Sequence, residues 1–176
     1  MKNLFLAMAA LVLFACTPPA KEESTEPMEP APLEVGDTKF VDVAKSGLQA
    51  FTSKNVDGFV SGFADNAIYR FNNGDSLAGK QAIAEYWNER FTNVIQTISI
   101  ENDVWVPLKV NQSPANVVTQ GDWVLGWFMV TATYKTGKSM TQWIHTDYHF
   151  DNDGKIDQVI QYIDRASIMA AMTPDK

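Results

Sequence analysis

The sequence predicts an α+β domain in which helices pack on one face of an antiparallel sheet. Apolar residues recur at helical spacing only in the first part of the domain, over residues 38–93. Residues 95–163 are instead rich in β-branched and aromatic side chains, and turns of hairpin type at 136–138 and 152–154 divide them. Helices followed by a meander of strands are typical of this architecture.

Three helices are predicted ahead of the strands. The first begins at Asp37 or Thr38, either of which can cap it, and carries apolar residues at helical spacing. Asn55 is the cap of a short second helix that ends before residue 65. The third helix covers residues 80–93. Its inward-facing residues are Ile83, Trp87 and Phe91.

The strands carry one unusual pattern. They are predicted over residues 67–71, 95–106, 117–119, 123–134, 139–150 and 156–163. In the strand over 123–134 neither alternating row is polar, since Trp123, Leu125 and Trp127 alternate with Val124 and Phe128. A sheet that is solvated on one face has one polar row. We therefore expect a homodimer, in which a second subunit covers the sheet face that the helices leave open.

The first 15 residues have the pattern of a bacterial lipoprotein signal peptide. Lys2 gives a positive start, residues 4–14 are apolar but too few to span a bilayer as a helix, and residues 13–16 resemble a lipobox that ends at Cys16. We expect cleavage before Cys16 and its acylation with diacylglycerol and chains such as palmitate. The lipid anchor would hold the protein in the cell envelope of a Gram-negative bacterium, at the outer membrane, facing the periplasm or the cell surface.

The segment after the predicted cleavage site differs in composition from the rest. Residues 16–37 are rich in proline and carry one lysine against six acidic residues, which predicts a disordered acidic tether. The domain over 38–176 is nearly balanced in charge and has no basic stripe, so we expect no nucleic-acid partner. Because Cys16 is the only cysteine, the mature chain forms no internal disulfide.

Three segments resemble the SnoaL-like branch of the nuclear transport factor two superfamily. They are residues 63–69 (FADNAIY), residues 79–87 (GKQAI, then YW) and residues 148–164 (YHFDNDGKI, then YID). The resemblance implies a cone-shaped, curved antiparallel sheet with about three N-terminal helices packed on its concave face. It also implies a pocket inside the cone and dimers through the sheet.

The resemblance further implies which side chains line that pocket. In ketosteroid isomerase-like enzymes the positions that match Phe71 and Thr146 are aspartates, and in SnoaL-type cyclases the position of Gln161 is an aspartate. A phenyl ring, a hydroxyl and an amide are poor general bases near neutral pH. We therefore expect the cone to bind a small, largely apolar ligand and to need no cofactor. The expected pocket residues are Tyr69, Phe71, Trp87, Thr146, Tyr148 and Gln161.

Two other functions stay open from the sequence. On the opposite row of the same strand, Asp147 could orient His145 as the general base of an isomerase, dehydratase or cyclase. The same row, with His149, offers two imidazoles to a metal, but the third ligand is missing from the pattern and we expect no metal site. The third function is a dimeric structural or assembly lipoprotein, which would have a cone filled by its own side chains.

Overall fold

The computed structural model describes residues 29–113 and 118–175 of the chain. The predicted signal peptide, Cys16 and the predicted tether up to residue 28 lie outside the described residues. No helix in the described part is long and apolar enough to cross a membrane. In chain order the elements are β1 (Leu33–Val35), α1 (Lys39–Thr52), α2 (Val56–Val60), β2 (Phe63–Phe71), β3 (Ser76–Ala78), α3 (Lys80–Asn93), β4 (Ile95–Val110), β5 (Gly121–Tyr134), β6 (Ser139–Phe150), β7 (Ile156–Tyr162) and α4 (Arg165–Met172).

The strands form one curved sheet in the order β1-β4-β5-β6-β7-β2-β3. All neighbours are antiparallel except β2 and β7, which are parallel. The register shifts in β4 between Glu101 and Val104, in β6 at His149 and Phe150, and in β2 after Phe63. Such irregularities increase the bend of a strand, so the sheet curves around the helices on its concave face. The predicted α+β class and its arrangement are confirmed.

The helix and strand bounds differ from the prediction in a few places. Asn55 caps α2 as expected, because its side chain accepts a hydrogen bond of 2.9 Å from the Gly58 amide. Thr38 is the N-cap of α1, but its side chain makes no capping bond. The strand predicted at 117–119 is wrong where the structure describes it, since residues 118 and 119 are not in a strand. The sequence patterns also missed α4, whose N-cap Asp164 accepts from the Ala166 amide.

The predicted tether extends too far toward the domain. Residues 33–35 were expected to be disordered, but they form the edge strand β1, paired with β4. All three side chains of β1 are exposed. The strand is therefore held by its backbone hydrogen bonds to β4. Amino-acid composition gives no signal for backbone pairing of an exposed strand. The Gly36 amide extends it with a bond of 3.1 Å to the Pro107 carbonyl.

The core lies between the helices and the concave face of the sheet and is mainly aromatic. Phe51 of α1 packs edge-on against Phe59, Trp87 and Phe91, with ring centroids 4.6 to 5.0 Å apart. Aromatic pairs prefer this geometry, and each adds about 0.5–1.5 kcal/mol beyond the area it buries. These contacts hold α1, α2 and α3 together over the sheet.

The opposite face of the sheet carries several exposed apolar side chains beside polar ones and is uncovered in the described part of the chain. Alternation along β5 places Val124 and Phe128 against the helices, with Trp127 on the outer face, an assignment that two apolar rows left open in the sequence. The most exposed apolar residues of this outer face are Val104, Val106, Trp143 and Tyr162, which are 42 to 55 % exposed.

Candidate functional site

A cavity of about 100 Å³ lies between the concave face of the sheet and the helices. The cone is therefore not filled solidly by its own side chains. Five of the six predicted pocket residues line this cavity, namely Tyr69, Phe71, Trp87, Tyr148 and Gln161. Thr146 points the same way and is buried, but it lies behind the cavity wall and does not line it.

The sheet register brings the three noncatalytic substitutions into one row. Phe71 of β2 pairs with Gln161 of β7, and Gln161 pairs with Thr146 of β6. The positions at which the sequence resemblance implies aspartates in catalytic relatives are thus neighbours across three strands. Here they carry a ring, an amide and a hydroxyl. Over residues 29–113 and 118–175, no aspartate or glutamate lines the cavity.

The cavity hydroxyls are hydrogen-bond donors and not bases. Burial raises the pKa of Tyr69 well above its usual value, and the neighbouring Tyr148 and Tyr86 act in the same direction. Burial likewise raises the pKa of Tyr148. Both phenols therefore stay protonated at physiological pH, so each can donate a hydrogen bond to an oxygen of a bound molecule.

Two buried polar atoms beside the cavity have no protein partner among the described residues. They are the indole Nε1 of Trp87 and the hydroxyl of Thr146. A buried donor without a partner costs roughly 1–3 kcal/mol, so such atoms are rare in folded proteins. Trp87 lines the cavity with its ring, while its N–H is shielded from the free space of the cavity.

Arg90 is a cavity residue that the sequence patterns missed. It lies one turn of α3 beyond Tyr86 and three residues beyond Trp87, which places all three side chains on neighbouring parts of one helix face. Its Nε donates a hydrogen bond of 3.2 Å to the Tyr86 hydroxyl, and its guanidinium lies over the Tyr86 ring at 5.3 Å. In the sequence, the helical spacing of residues 86, 87 and 90 was the signal that Arg90 lies on the same helix face as Tyr86 and Trp87.

Trp105 completes the wall of the cone on the β4 side. Its indole lies over Gly126, with ring centroids 5.9 Å from Phe128 and 6.2 Å from Tyr148. A Cβ atom at Gly126 would lie 2.7 Å from Cζ3 of this indole. The glycine is therefore required for the tryptophan to pack against the sheet.

His145 and Asp147 lie on the outer face of the sheet, away from the cone. Nε2 of His145 is 2.8 Å from Oδ1 of Asp147, but the contact lacks the alignment of a hydrogen bond and is an ion-pair contact. Nδ1 of His145 is 3.1 Å from the Gly126 carbonyl. The imidazole is also stacked between Trp127, at 4.3 Å, and Tyr162, at 5.5 Å.

An outer groove of about 480 Å³ passes over this pair. It is lined by Leu108, Val110, Trp123, Leu125, Ile160 and Tyr162, together with His145 and Asp147. Burial raises the pKa of Asp147, and the neighbouring His145 opposes the rise. The predicted alternative catalytic pair therefore exists as a contact, but it does not face the cavity that holds the predicted ligand pocket.

The second histidine of this row has a separate carboxylate. His149 is buried, with Nδ1 at 2.5 Å from Asp157 and Nε2 at 3.0 Å from the Gln120 carbonyl. Four residues along a strand separate its Cα from that of His145 by roughly 13 Å, too far to share one metal ion. Within the described ranges, no three His, Cys, Asp or Glu side chains come close enough to hold a metal.

Comparison with solved structures supports the same fold. The chain is similar to a nuclear transport factor two-like protein of unknown function from Burkholderia pseudomallei, with a TM-score of 0.63 at 14% identity over 78% of this chain and 99% of that one. It is also similar to an LEH-like epoxide hydrolase from M. tuberculosis, with a TM-score of 0.56 at 13% identity over 77% and 90% of the two chains.

A third similar structure contains a bound molecule. It is a protein with a ketosteroid isomerase-like fold from Catenulispora acidiphila in complex with trimethylamine, with a TM-score of 0.56 at 14% identity over 76% of this chain and 94% of that one. Identities this low establish the fold alone. No curated protein matches the chain.

Family assignment comes from the sequence model of the SnoaL-like domain, which matches residues 45–159. That range includes α1 from residue 45 onward, α2, α3 and the strands from β2 to the middle of β7. It also includes the cavity residues Tyr69, Phe71, Trp87 and Tyr148. The chain belongs to the SnoaL-like domain family.

Proposed function

We propose that this SnoaL-like domain is a binding domain that holds a small, largely apolar molecule in its cone. The observation that carries the proposal is a largely apolar cavity, rich in aromatic side chains, with no carboxylate among its described lining residues. Small-molecule sites are usually built in this way, from an apolar wall and a few placed polar groups. The protonated hydroxyls of Tyr69 and Tyr148 would fix the orientation of the bound molecule.

The cavity volume limits the size of the ligand. An engineered cavity of about 150 Å³ holds benzene, so about 100 Å³ suits a group smaller than a benzene ring, such as a short aliphatic chain. Larger ligands would require the cone to widen.

Ligand-dependent thermal stability tests this function. A ligand that binds only the folded protein raises its melting temperature, and the rise grows with ligand concentration. The purified full chain is melted in the presence of a panel of small aromatic and aliphatic molecules. A concentration-dependent rise with at least one member supports the proposal, whereas no rise with any of them counts against it.

Catalysis by His145 and Asp147 is the second candidate. It is favoured by their 2.8 Å contact beside the outer groove. Against it, the stacked rings of Trp127 and Tyr162 cover both faces of the imidazole. His145→Ala separates the two functions, because it removes a catalytic group but leaves the cone cavity intact.

We also propose that the chain is lipid-anchored in the cell envelope. The support is the lipobox-like sequence that ends at Cys16 and the acidic, proline-rich segment that follows it. Metabolic labelling with a palmitate analogue, followed by detergent phase partition, tests the anchor. The wild-type chain is expected in the detergent phase with label, and Cys16→Ser is expected to lose both properties.

Self-association through the outer face of the sheet is the third part of the proposal. Exposed Trp143, Tyr162, Val104 and Val106 lie together on this face, and a second copy would remove them from water. Single apolar residues on a surface are ordinary, but a continuous patch of this kind is typical of an interface. A dimeric assembly protein that binds no ligand would have the same kind of face. Measurement of ligand binding distinguishes that function from the binding domain proposed above.

A further inference from the structure

Arg90 is a cationic side chain that faces the cone cavity and has no anionic partner in the described part of the chain. Its guanidinium contacts only the neutral Tyr86 hydroxyl, at 3.2 Å, and the sulfur of Met172, at 4.0 Å. None of the ion pairs among residues 29–113 and 118–175 includes it. The neighbouring Glu85 on α3 is hydrogen-bonded to Gln81.

A role in helix stability accounts for only part of this placement. Arg90 is in the last turn of α3, where a cation interacts favourably with the helix dipole. A cationic side chain that points into solvent would interact with the helix dipole equally well. Arg90 is instead partly buried and lines the cavity with Tyr86, Tyr134, Ile168 and Met172.

The positive charge of Arg90 affects the pKa of another residue that lines the cavity. Burial raises the pKa of Tyr134, and the positive charge of Arg90 opposes that rise. A guanidinium has five N–H donors, and the two described contacts leave most of them unused. Arginine pairs with carboxylates through two parallel hydrogen bonds, which gives both affinity and orientation.

The aromatic part of the cavity begins at Tyr86, next to Arg90 on the same face of α3. Tyr86 is edge-on to Trp87 at 5.1 Å, and Trp87 is 6.1 Å from Tyr69. A molecule that reaches from Arg90 past Tyr86 to Trp87 would therefore have an anionic end and an apolar end.

We propose that the ligand of the cone is a small carboxylic acid, whose carboxylate binds Arg90 and whose apolar tail occupies the aromatic cavity. This inference rests on the proposed binding function and specifies the chemical class of its ligand. On binding, the carboxylate takes guanidinium donors that the contacts with Tyr86 and Met172 leave unused.

Matched acids and amides test the class of ligand. Calorimetric titration of the purified full chain at pH 7 uses two pairs of probes with short aliphatic tails, butyrate with butyramide and hexanoate with hexanamide. Each pair has the same tail and differs in charge. We expect at least one acid to bind about 10-fold or more tightly than its amide, because hydrogen bonds between charged groups are stronger than neutral ones.

Two variants locate the preference. Arg90→Gln is expected to bring the acid down to the affinity of its amide and to leave the affinity of the amide unchanged. Arg70→Gln, which removes an exposed arginine of β2, is expected to keep the wild-type preference. The melting temperature of each variant reports on its folding, and the wild-type comparison of acid with amide does not depend on either variant.

The outcomes separate this inference from the proposed function. Equal binding of acid and amide by the wild-type chain, or an acid preference that survives in folded Arg90→Gln, overturns the carboxylate site and leaves apolar ligand binding intact. Failure of all four probes to bind overturns the carboxylate site, while the wider panel of the melting experiment still decides whether the cone binds another class of molecule.

Discussion

His145 and Asp147 form a 2.8 Å contact on the face of β6 that points away from the cavity. Thr146, between them in the chain, points toward the helices and is buried. Successive side chains of a strand point to opposite faces, so one strand carries the ion pair outside and the noncatalytic row inside. The two predicted functions of the domain are thereby assigned to separate surfaces of one sheet.

The first prediction concerns the pH dependence of stability at Asp147. Burial raises its pKa in the folded protein. A carboxyl group with a higher pKa when folded than when unfolded stabilises the protein below its unfolded pKa, and that contribution is lost as the pH rises through the folded value. Asp147→Asn removes this loss. We therefore expect Asp147→Asn to gain stability relative to wild type as the pH rises from about 4 to about 7. The gain is measured as a larger free energy of unfolding of the variant.

Urea denaturation at a series of pH values measures this difference. Asp153→Asn, which removes an exposed carboxylate from the turn between β6 and β7, is the control for net charge. A wild-type and Asp147→Asn difference that stays constant with pH would contradict the prediction.

The second prediction concerns the packing of Trp105 over Gly126. Because a Cβ at residue 126 would lie 2.7 Å from the indole, Gly126→Ala is expected to destabilise the protein by about 1–3 kcal/mol. The cost should shrink in a Trp105→Leu background, in which the ring is absent. A double-mutant cycle by chemical denaturation measures this coupling, and equal costs in both backgrounds would refute the proposed contact.

The third prediction tests the cavity by filling it. Ala132 lines the cavity on β5, whereas Ala67 on β2 is fully buried in packed core away from it. Ala132→Val is expected to weaken ligand binding and to change stability by less than about 1 kcal/mol, since the added methyl groups enter free space. Ala67→Val should instead overpack the core at a cost of about 1–3 kcal/mol and leave binding unchanged.

Titration with the tightest-binding probe, together with thermal melting, checks both variants. The cavity assignment fails if Ala132→Val binds as well as wild type, or if the two substitutions have the same effect on stability.

The fourth prediction concerns self-association through the outer face. Trp143 and Met169 are both 55 % exposed, but Trp143 lies on the outer face of β6 and Met169 on α4. Trp143→Glu is expected to shift the purified chain from dimer to monomer in sedimentation velocity, because it places a charge in the interface. Met169→Glu introduces the same charge elsewhere and should leave the dimer intact; dissociation by both variants, or by neither, would count against this interface.

Several elements were predictable because their signals are local. The apolar spacing of α3 and the cap of α2 each depend on residues close together in the chain. The orientation of Thr146, Tyr148 and Gln161 was also predicted, but through the resemblance to the SnoaL-like family, because alternation alone does not say which row faces the cone. The edge strand β1 was not, because its exposed side chains carry no pattern and its partner β4 lies more than 70 residues away.

The sequence by itself determined the α+β order of the elements, and its resemblance to the SnoaL-like family indicated which residues stand where catalytic relatives have aspartates. Only the tertiary structure decided that the cone keeps a cavity of about 100 Å³, that Phe71, Gln161 and Thr146 are neighbours across three strands, and that Arg90 faces the cavity. Periodicity assigns a side chain to a face of its own element. Free volume and charge partners depend on how distant elements pack against that face, and no local pattern encodes this packing.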